Sequence, residues 1–211
     1  MSGAKNIFFC GVPGSKWSGV DIQLRRALPC DQTDETPERL FYHRVNVPGD
    51  VNNGHKGAYW GPGMELGHDF HHASDLKVNH FIKECNKPFS EQDGTKMIKC
   101  HQFAHSLDWL YENIPNSNIL LVLRPNKECF DWWKQAGGWD ITYPDYSWYC
   151  DDATMKVQIQ IENELSDDFV EKHGEWKPYT TEWITKNFGN HSIKLDSRHD
   201  DIKVCLIKTK V

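Results

Sequence analysis

The chain has 211 residues, and all of residues 1–211 are predicted to form a single domain with its own core. A net charge of −6 argues against a nucleic-acid-binding protein, which would present a basic face. No apolar run approaches the roughly 20 residues of a membrane span, and the first one is too short for a signal peptide. Seven scattered cysteines without a C-x-x-C pair favour a reducing compartment, the cytoplasm.

Predicted strands and helices alternate along the chain. Apolar runs predict strands at residues 6–11, 40–47, 95–99, 119–123, 191–195 and 202–208. Helices are predicted over 20–28, 74–86, the stretch through Leu107 to Pro115, 126–136, 154–172 and 179–188. In the helix over 154–172, apolar residues recur every four positions, at Val157, Ile161, Leu165 and Phe169. The alternation predicts an α/β fold, a three-layer α/β/α arrangement around a mainly parallel, doubly wound sheet, with ligands beyond the carboxyl ends of the strands.

A glycine-containing turn follows the first strand and carries the first candidate site. The turn reads Gly11-Val12-Pro13-Gly14-Ser15-Lys16-Trp17-Ser18-Gly19. Backbone N–H groups between a strand and a helix favour an anion, which Lys16, Ser15 and Ser18 could also contact. The spacing departs from the G-x-x-x-x-G-K-[ST] motif of nucleotide kinases and NTPases. An ordinary strand-to-helix turn with an exposed lysine is the alternative.

Two further strand ends carry candidate residues. Lys99-Cys100-His101 follows the strand at 95–99, where a histidine is well placed to accept a proton from a hydroxyl group. A structural histidine in a loop is the alternative. Arg124 ends the strand at 119–123 and predicts either an anionic ligand or a core salt bridge, because burying an unpaired guanidinium is costly.

The three motifs, in this order, resemble the superfamily of sulfotransferases that use 3′-phosphoadenylyl sulfate (PAPS). Its cytosolic branch reads P-K-S-G-T-T-W, then K-T-H, then R-N-P-K-D. This chain reads Pro13-Gly14-Ser15-Lys16-Trp17-Ser18, then Lys99-Cys100-His101, then Arg124-Pro125-Asn126-Lys127-Glu128. The resemblance covers about the first 135 residues and implies a P-loop NTPase-like fold.

The resemblance also implies roles for individual residues. PAPS would be the donor and 3′,5′-adenosine bisphosphate the product, without a metal. His101 would deprotonate the acceptor, Lys16 and Lys99 would act in catalysis, and Arg124 would bind the 3′-phosphate. The nucleotide-contacting residues would be Pro13, Gly14, Ser15, Lys16, Trp17, Ser18 and Arg124. Gly14 stands where the family has its lysine, and Trp132 or Asp131 stands where it has a phosphate-binding serine, so the 3′-phosphate site departs from the pattern.

Other clusters of residues are open to two interpretations. His68, His71, His72 and His80 could suggest zinc, but no cysteine accompanies them at ligand spacing, so a group of exposed or pocket-lining histidines is favoured. The loop over 48–72 and the aromatic residues Trp139, Tyr143, Tyr146, Trp148 and Tyr149 are expected to flank an acceptor pocket. Packing in a small core is the alternative for these rings.

The leading functional hypothesis is sulfuryl transfer from PAPS to a hydroxyl group of a small-molecule or carbohydrate acceptor, with neither nucleic acid nor membrane as a partner. The first alternative is a P-loop kinase or NTPase. The second is a non-catalytic nucleotide-binding protein with the same fold. The sequence does not identify the acceptor or the oligomeric state.

Overall fold

The computed structural model of the protein describes residues 6–39, 41–43, 53–61, 67, 72–90, 94–141, 149–189, 195 and 200–210. The strands in these ranges are β1 (Asn6–Gly11), β2 (Phe41–His43), β3 (Asn53–His55), β4 (Lys96–Lys99), β5 (Ser117–Leu123), β6 (Lys177–Pro178) and β7 (Lys203–Lys208). The α-helices are α1 (Trp17–Ala27), α2 (Val78–Asn86), α3 (Leu107–Asn113), α4 (Asn126–Gln135), α5 (Asp152–His173) and α6 (Thr181–Phe188). Short 3₁₀ helices include His101–Ser106, between β4 and α3.

Five strands form one mixed sheet in the order β4-β1-β5-β7-β6, whereas β2 and β3 pair separately. β1 is parallel to both β4 and β5, and Phe8 lies in register with Ile98 on one side and Ile119 on the other. β7 runs antiparallel to β5 and β6. The α/β class is therefore confirmed, and the carboxyl end of β1 lies between those of β4 and β5.

Helices pack on both faces of the sheet because successive side chains of each strand point to opposite sides. On β1, Phe8 faces the core beneath α2, α3 and α5, whereas Phe9 faces the core beneath α1 and α6. β5 alternates in the same way at Ile119 and Leu120. This double burial explains why the central strands are continuous apolar runs.

Most predicted elements are present within a residue or two of their expected bounds. β1, β4, β5 and β7 match predicted strands, and all six α-helices match predicted helices. The strand predicted at 40–47 is described only over β2, and the one predicted at 191–195 lies almost wholly outside the described residues. β6, a two-residue strand that includes Pro178, was not predicted.

The buried face of α5 differs from the predicted apolar stripe. Val157 and Ile161 are exposed by 54% and 37%, whereas Glu162 and Asn163 are buried. The helix buries Met155, Ile159, Glu162, Asn163, Ser166, Phe169 and Val170. The four-residue repeat therefore predicted the helix and the burial of Phe169 correctly, but Val157 and Ile161 are exposed because polar residues of α5 take the buried face there.

All seven cysteines lie in the described parts of the chain. All seven thiols are free, and Cys10, Cys100 and Cys205 are buried in or beside strands, as their apolar neighbours suggest. No helix in the described parts of the chain has the length and apolarity needed to cross a bilayer.

Candidate functional site

The turn after β1 packs tightly against α4. Gly14 has φ 76° and Lys16 has φ 63°, both in the left-handed region, and the Ser15 N–H donates to the Val12 carbonyl at 3.0 Å. A Cβ added at Gly14 would lie 1.9 Å from the carbonyl oxygen of Cys129 in α4. Glycine is therefore required here both for its backbone conformation and for the close approach of the two backbones.

The predicted nucleotide-contacting residues of this turn divide into two groups. Pro13, Ser15 and Trp17 are buried, whereas Gly14, Lys16 and Ser18 are partly exposed. The Ser15 hydroxyl is fully buried and has no hydrogen-bond partner within the described ranges, and Trp17 packs on Phe9 of the core. Trp17 is therefore a core residue in this structure, and Lys16 is the charged group that the turn presents.

Lys16 lies at the start of α1 and has an acidic and an aromatic neighbour. Its Nζ lies 3.3 Å from Oδ1 of Asp201 and 5.1 Å from the centre of the Trp132 ring. The first turn of α1 contains no acidic residue, and Lys16 as N-cap supplies no capping side-chain hydrogen bond. The partial positive charge of the helix start therefore adds to that of the ammonium group.

Arg124, directly after β5, forms hydrogen bonds with both the turn and α4. Its Nη1 donates to the carbonyl oxygens of Gly14 at 3.2 Å and Glu128 at 2.8 Å. Its Nε donates to Oδ2 of Asp201 at 2.5 Å. A salt bridge, one of the two sequence alternatives for Arg124, is thus present, whereas the anionic ligand stays a prediction.

Asp201 was missed in the sequence analysis. β7 is antiparallel to β5, and Leu123 is in register with Lys203, so the residues before β7 lie beside Arg124. Burial opposes ionisation of Asp201, but the hydrogen bond and charge of Arg124 and the charge of Lys16 outweigh it and lower its pKa. The one sequence signal for Asp201 was its position as an acidic residue just before a strand. This signal becomes informative only when the antiparallel pairing of that strand is known.

His101 lies on the opposite side of the turn from Arg124. Its Nδ1 donates to the carbonyl of Gly11, and its ring packs at 4.6 Å from Trp17 and 5.6 Å from Tyr59, centre to centre. Burial lowers the pKa of His101 to about 4, against a smaller opposite effect of the Gly11 hydrogen bond. The imidazole is therefore neutral at pH 7, and its lone pair is on Nε2 because the carbonyl can only accept.

Lys99 does not take part in this arrangement. It is fully buried, and its Nζ donates to Oδ2 of Asp21 in α1 at 2.8 Å and to the carbonyl of Lys56. Burial lowers the pKa of Lys99, partly offset by the charge of Asp21. This ammonium group is thus enclosed between β4 and α1 in a structural arrangement, and the catalytic role of Lys99 stays a prediction.

Lys99 belongs to an inner charge network formed by Asp21, Arg25, Asp34 and Lys99. Arg25 donates to Asp21 at 3.0 Å and to both carboxylate oxygens of Asp34, at 2.9 and 3.0 Å. Asp34 also accepts from the backbone N–H of Ala58 at 2.9 Å. Two positive and two negative buried side chains thus neutralise one another, and the partly exposed carboxylate of Glu35 lies 3.5 Å from Arg25 at the edge of the network.

Another buried carboxyl group, Glu162 of α5, was not singled out in the sequence analysis. Its Oε1 accepts from the Tyr149 hydroxyl at 3.1 Å and from Gln158 Nε2 at 3.3 Å, whereas Oε2 has no partner among the residues that the structure describes. Gln102, next to His101, donates to the Tyr149 hydroxyl at 3.5 Å. Burial raises the pKa of Glu162 to about 7, so a substantial fraction is protonated near neutrality.

The expected acceptor segments are only partly described. Within 48–72, Tyr59 and Trp60 are buried beside β4, where the backbone N–H of Trp60 donates to the Lys99 carbonyl at 2.8 Å. Trp139 donates to Asp152 at 2.7 Å and packs on Trp133. Tyr143, Tyr146 and Trp148 lie outside the described residues. Tyr59 thus borders His101, whereas Trp139 packs against α4 and the start of α5.

The histidine cluster is likewise incomplete, because His68 and His71 lie outside the described residues. His72 packs 5.3 Å from His105, ring centre to ring centre. In the described ranges, no group of three or more histidine, cysteine, aspartate or glutamate side chains is arranged to hold a metal ion.

Comparisons of the chain with protein-family models, curated proteins and solved structures gave no match. Overall similarity therefore adds nothing to the resemblance of the three short motifs. A functional assignment depends on the arrangement of His101, Lys16 and Arg124 around the turn at residues 11–16. This turn, these three residues and Asp201 are called the loop site below.

Proposed function

We propose that the protein is a sulfotransferase that moves a sulfuryl group from PAPS to a hydroxyl group of a small molecule or carbohydrate. The observation that supports this most is that His101 and Arg124, on two neighbours of β1, both bind carbonyl groups of the turn that carries Lys16. A neutral base and two cations thus flank one turn at the carboxyl edge of the parallel strands, the edge where α/β proteins bind ligands.

The proposed reaction is an in-line displacement at sulfur. Nε2 of His101 takes the proton of the acceptor hydroxyl as the new oxygen–sulfur bond forms. The bond between sulfur and the bridging phosphate oxygen breaks, and 3′,5′-adenosine bisphosphate leaves with that electron pair. Lys16 and the start of α1 stabilise the charge that develops on the departing oxygen, as positioned cations do in phosphoryl transfer.

The wider fold fits this proposal. The order β4-β1-β5, all parallel, with helices on both faces is what a doubly wound, P-loop NTPase-like sheet requires at its centre. The chain also departs from the family pattern, because Lys99 is enclosed in the core and Asp131, an exposed residue of α4, pairs with Lys127. A 3′-phosphate would therefore depend mainly on Arg124.

One observation favours a second function, the non-catalytic binding of an anionic nucleotide. The hydrogen bonds of Arg124 go to Asp201 and to two backbone carbonyls, so its guanidinium also has a structural role in the fold. A binding protein would keep this arrangement and would need no base at His101.

A ligand panel followed by a turnover assay tests these alternatives. We expect 3′,5′-adenosine bisphosphate without magnesium to stabilise the protein by about 2.7 kcal/mol at 100 times its dissociation constant. Stabilisation by ATP-Mg or GTP-Mg alone would instead indicate a kinase or NTPase. A protein that binds the bisphosphate but transfers no sulfuryl group from PAPS to any of a panel of acceptors would be the binding protein.

The assay is sharpened by replacing the proposed base. His101→Gln should lower sulfuryl transfer by roughly 10²–10⁴-fold, the usual contribution of one general base, and should leave bisphosphate affinity nearly unchanged. His80, an exposed histidine of α2, supplies the matched control, and His80→Gln should retain full turnover. Near-normal turnover of His101→Gln would remove His101 from the mechanism.

A further inference from the structure

The two cations of the loop site both contact the carboxylate of Asp201. Asp201 contacts Lys16 through Oδ1 at 3.3 Å and Arg124 through Oδ2 at 2.5 Å. A carboxylate that bridges two cations with its two oxygens occupies the place where phosphate oxygens would bind them. The anion site therefore contains an anion that belongs to the protein itself.

The three groups are buried to different extents. The side chains of Lys16 and Arg124 are 12% and 8% exposed, whereas that of Asp201 is 36% exposed. The cations are thus fixed at the base of the site and their counter-ion lies on its outer side. Ion pairs with this degree of exposure are weak, because water competes for both partners.

Arg124 is held by contacts that do not involve Asp201. Nη1 is bound to the carbonyls of Gly14 and Glu128, and Asn163 donates to the Arg124 carbonyl at 3.1 Å. In the part of the chain that the structure describes, the hydrogen bonds of the guanidinium group use Nε and Nη1. The edge formed by Nε and Nη2, which suits two oxygens of a phosphate, is therefore only half used.

We propose that Asp201 is a displaceable internal counter-ion, whose carboxylate keeps the loop site closed until the phosphate groups of the nucleotide take its place on Lys16 and on Arg124. This inference rests on the proposed function for the identity of the nucleotide. A dianion exchanges one negative charge for two, and its oxygens can use both N–H groups of the Arg124 edge. A monoanionic carboxylate ligand can also use both N–H groups but brings no additional charge, so the exchange favours phosphate groups.

Titration of inorganic phosphate and 3′,5′-adenosine bisphosphate by calorimetry, at constant ionic strength, tests the proposal. Asp201→Asn should bind both ligands on the order of tenfold more tightly than wild type, because it removes a competing and repelling charge. Asp200→Asn removes the same charge from the neighbouring exposed residue and should change affinity less than twofold. Asp201→Glu, which keeps the charge, should bind like the wild type.

Equal or weaker phosphate affinity in Asp201→Asn than in Asp200→Asn, with both variants folded by circular dichroism, would overturn the proposal. The same would follow if neither ligand bound any variant. Tighter phosphate binding by Asp201→Asn without sulfuryl transfer from PAPS would retain the counter-ion and reject the proposed function. Sulfuryl transfer by the wild type without a gain in Asp201→Asn would retain the function and reject the counter-ion.

Discussion

The inner charge network and the loop site are two clusters of charged side chains at neighbouring strand ends, but they are constructed differently. The network balances two cations with two carboxylates, all buried, and a backbone N–H completes the bonding of Asp34. In the loop site, the described carboxylate that contacts both cations, Asp201, is partly exposed. A lysine in a motif is therefore better placed to meet a ligand where its acidic partner faces solvent, as at Lys16, than where its partner is buried, as at Lys99.

The largest expected difference between the clusters is in stability. Asp34→Asn should lower the free energy of unfolding by about 3–5 kcal/mol, because it leaves Arg25 buried without its main partner. Asp201→Asn should lower it by at most about 1 kcal/mol, since exposed ion pairs contribute little. Urea unfolding of the two variants measures both values. Similar losses would mean that Asp201 is as structural as Asp34, and the distinction between the clusters would fail.

Two buried groups near the loop site should make stability depend on pH in opposite directions. His101 titrates near pH 4 when folded and 6.5 when unfolded, so its contribution to the free energy of unfolding rises with pH between these values. Glu162 titrates near pH 7 when folded and 4.5 when unfolded, so its contribution is complete below pH 4.5 and is lost as pH rises through 7. In the wild type the two trends largely cancel.

Single substitutions should reveal each trend by difference from the wild type. The unfolding free energy of Glu162→Gln minus that of the wild type should rise by roughly 3 kcal/mol from pH 4.5 to 7. The same difference for His101→Gln should fall by a similar amount from pH 4 to 6.5. Chemical unfolding across this range measures both. Parallel curves for the wild type and Glu162→Gln would show that Glu162 is not held neutral by burial.

A smaller effect separates two glycines of positive φ, Gly14, which packs against α4, and Gly138, which follows α4. Gly14→Ala should destabilise the protein by roughly 1–3 kcal/mol beyond Gly138→Ala and should abolish bisphosphate binding, because its Cβ meets the Cys129 carbonyl. At Gly138, with φ 54°, the three atoms nearest to an added Cβ all belong to the flexible Lys134 side chain, at 3.4 Å or more, so this variant isolates the cost of the backbone conformation. Thermal unfolding and calorimetry measure the two effects. Equal behaviour of the variants would mean that the turn can move away from α4.

The sequence predicted the strands and helices that depend on local pattern. β1, β4 and β5 were evident because they are buried on both faces, and the meeting of their ends followed from their parallel order. The partners of the charged side chains were not evident, because Asp201 reaches Lys16 and Arg124 across 185 and 77 positions of the chain. The burial of Glu162 could not be predicted either, since a glutamate beside an apolar stripe reads as a solvent-facing residue until its neighbours are known.

The position of the bound nucleotide tests the account most directly. Amide chemical shifts recorded during titration with 3′,5′-adenosine bisphosphate, without magnesium, report which backbone groups the ligand contacts. We expect the largest amide shift changes at Gly14, Lys16 and Ser18, with smaller ones at His101 and Asp201. The largest shifts could instead fall around the cavity of about 310 Å³ lined by Ser106, Leu165 and Lys172. That result would contradict the assignment of the loop site.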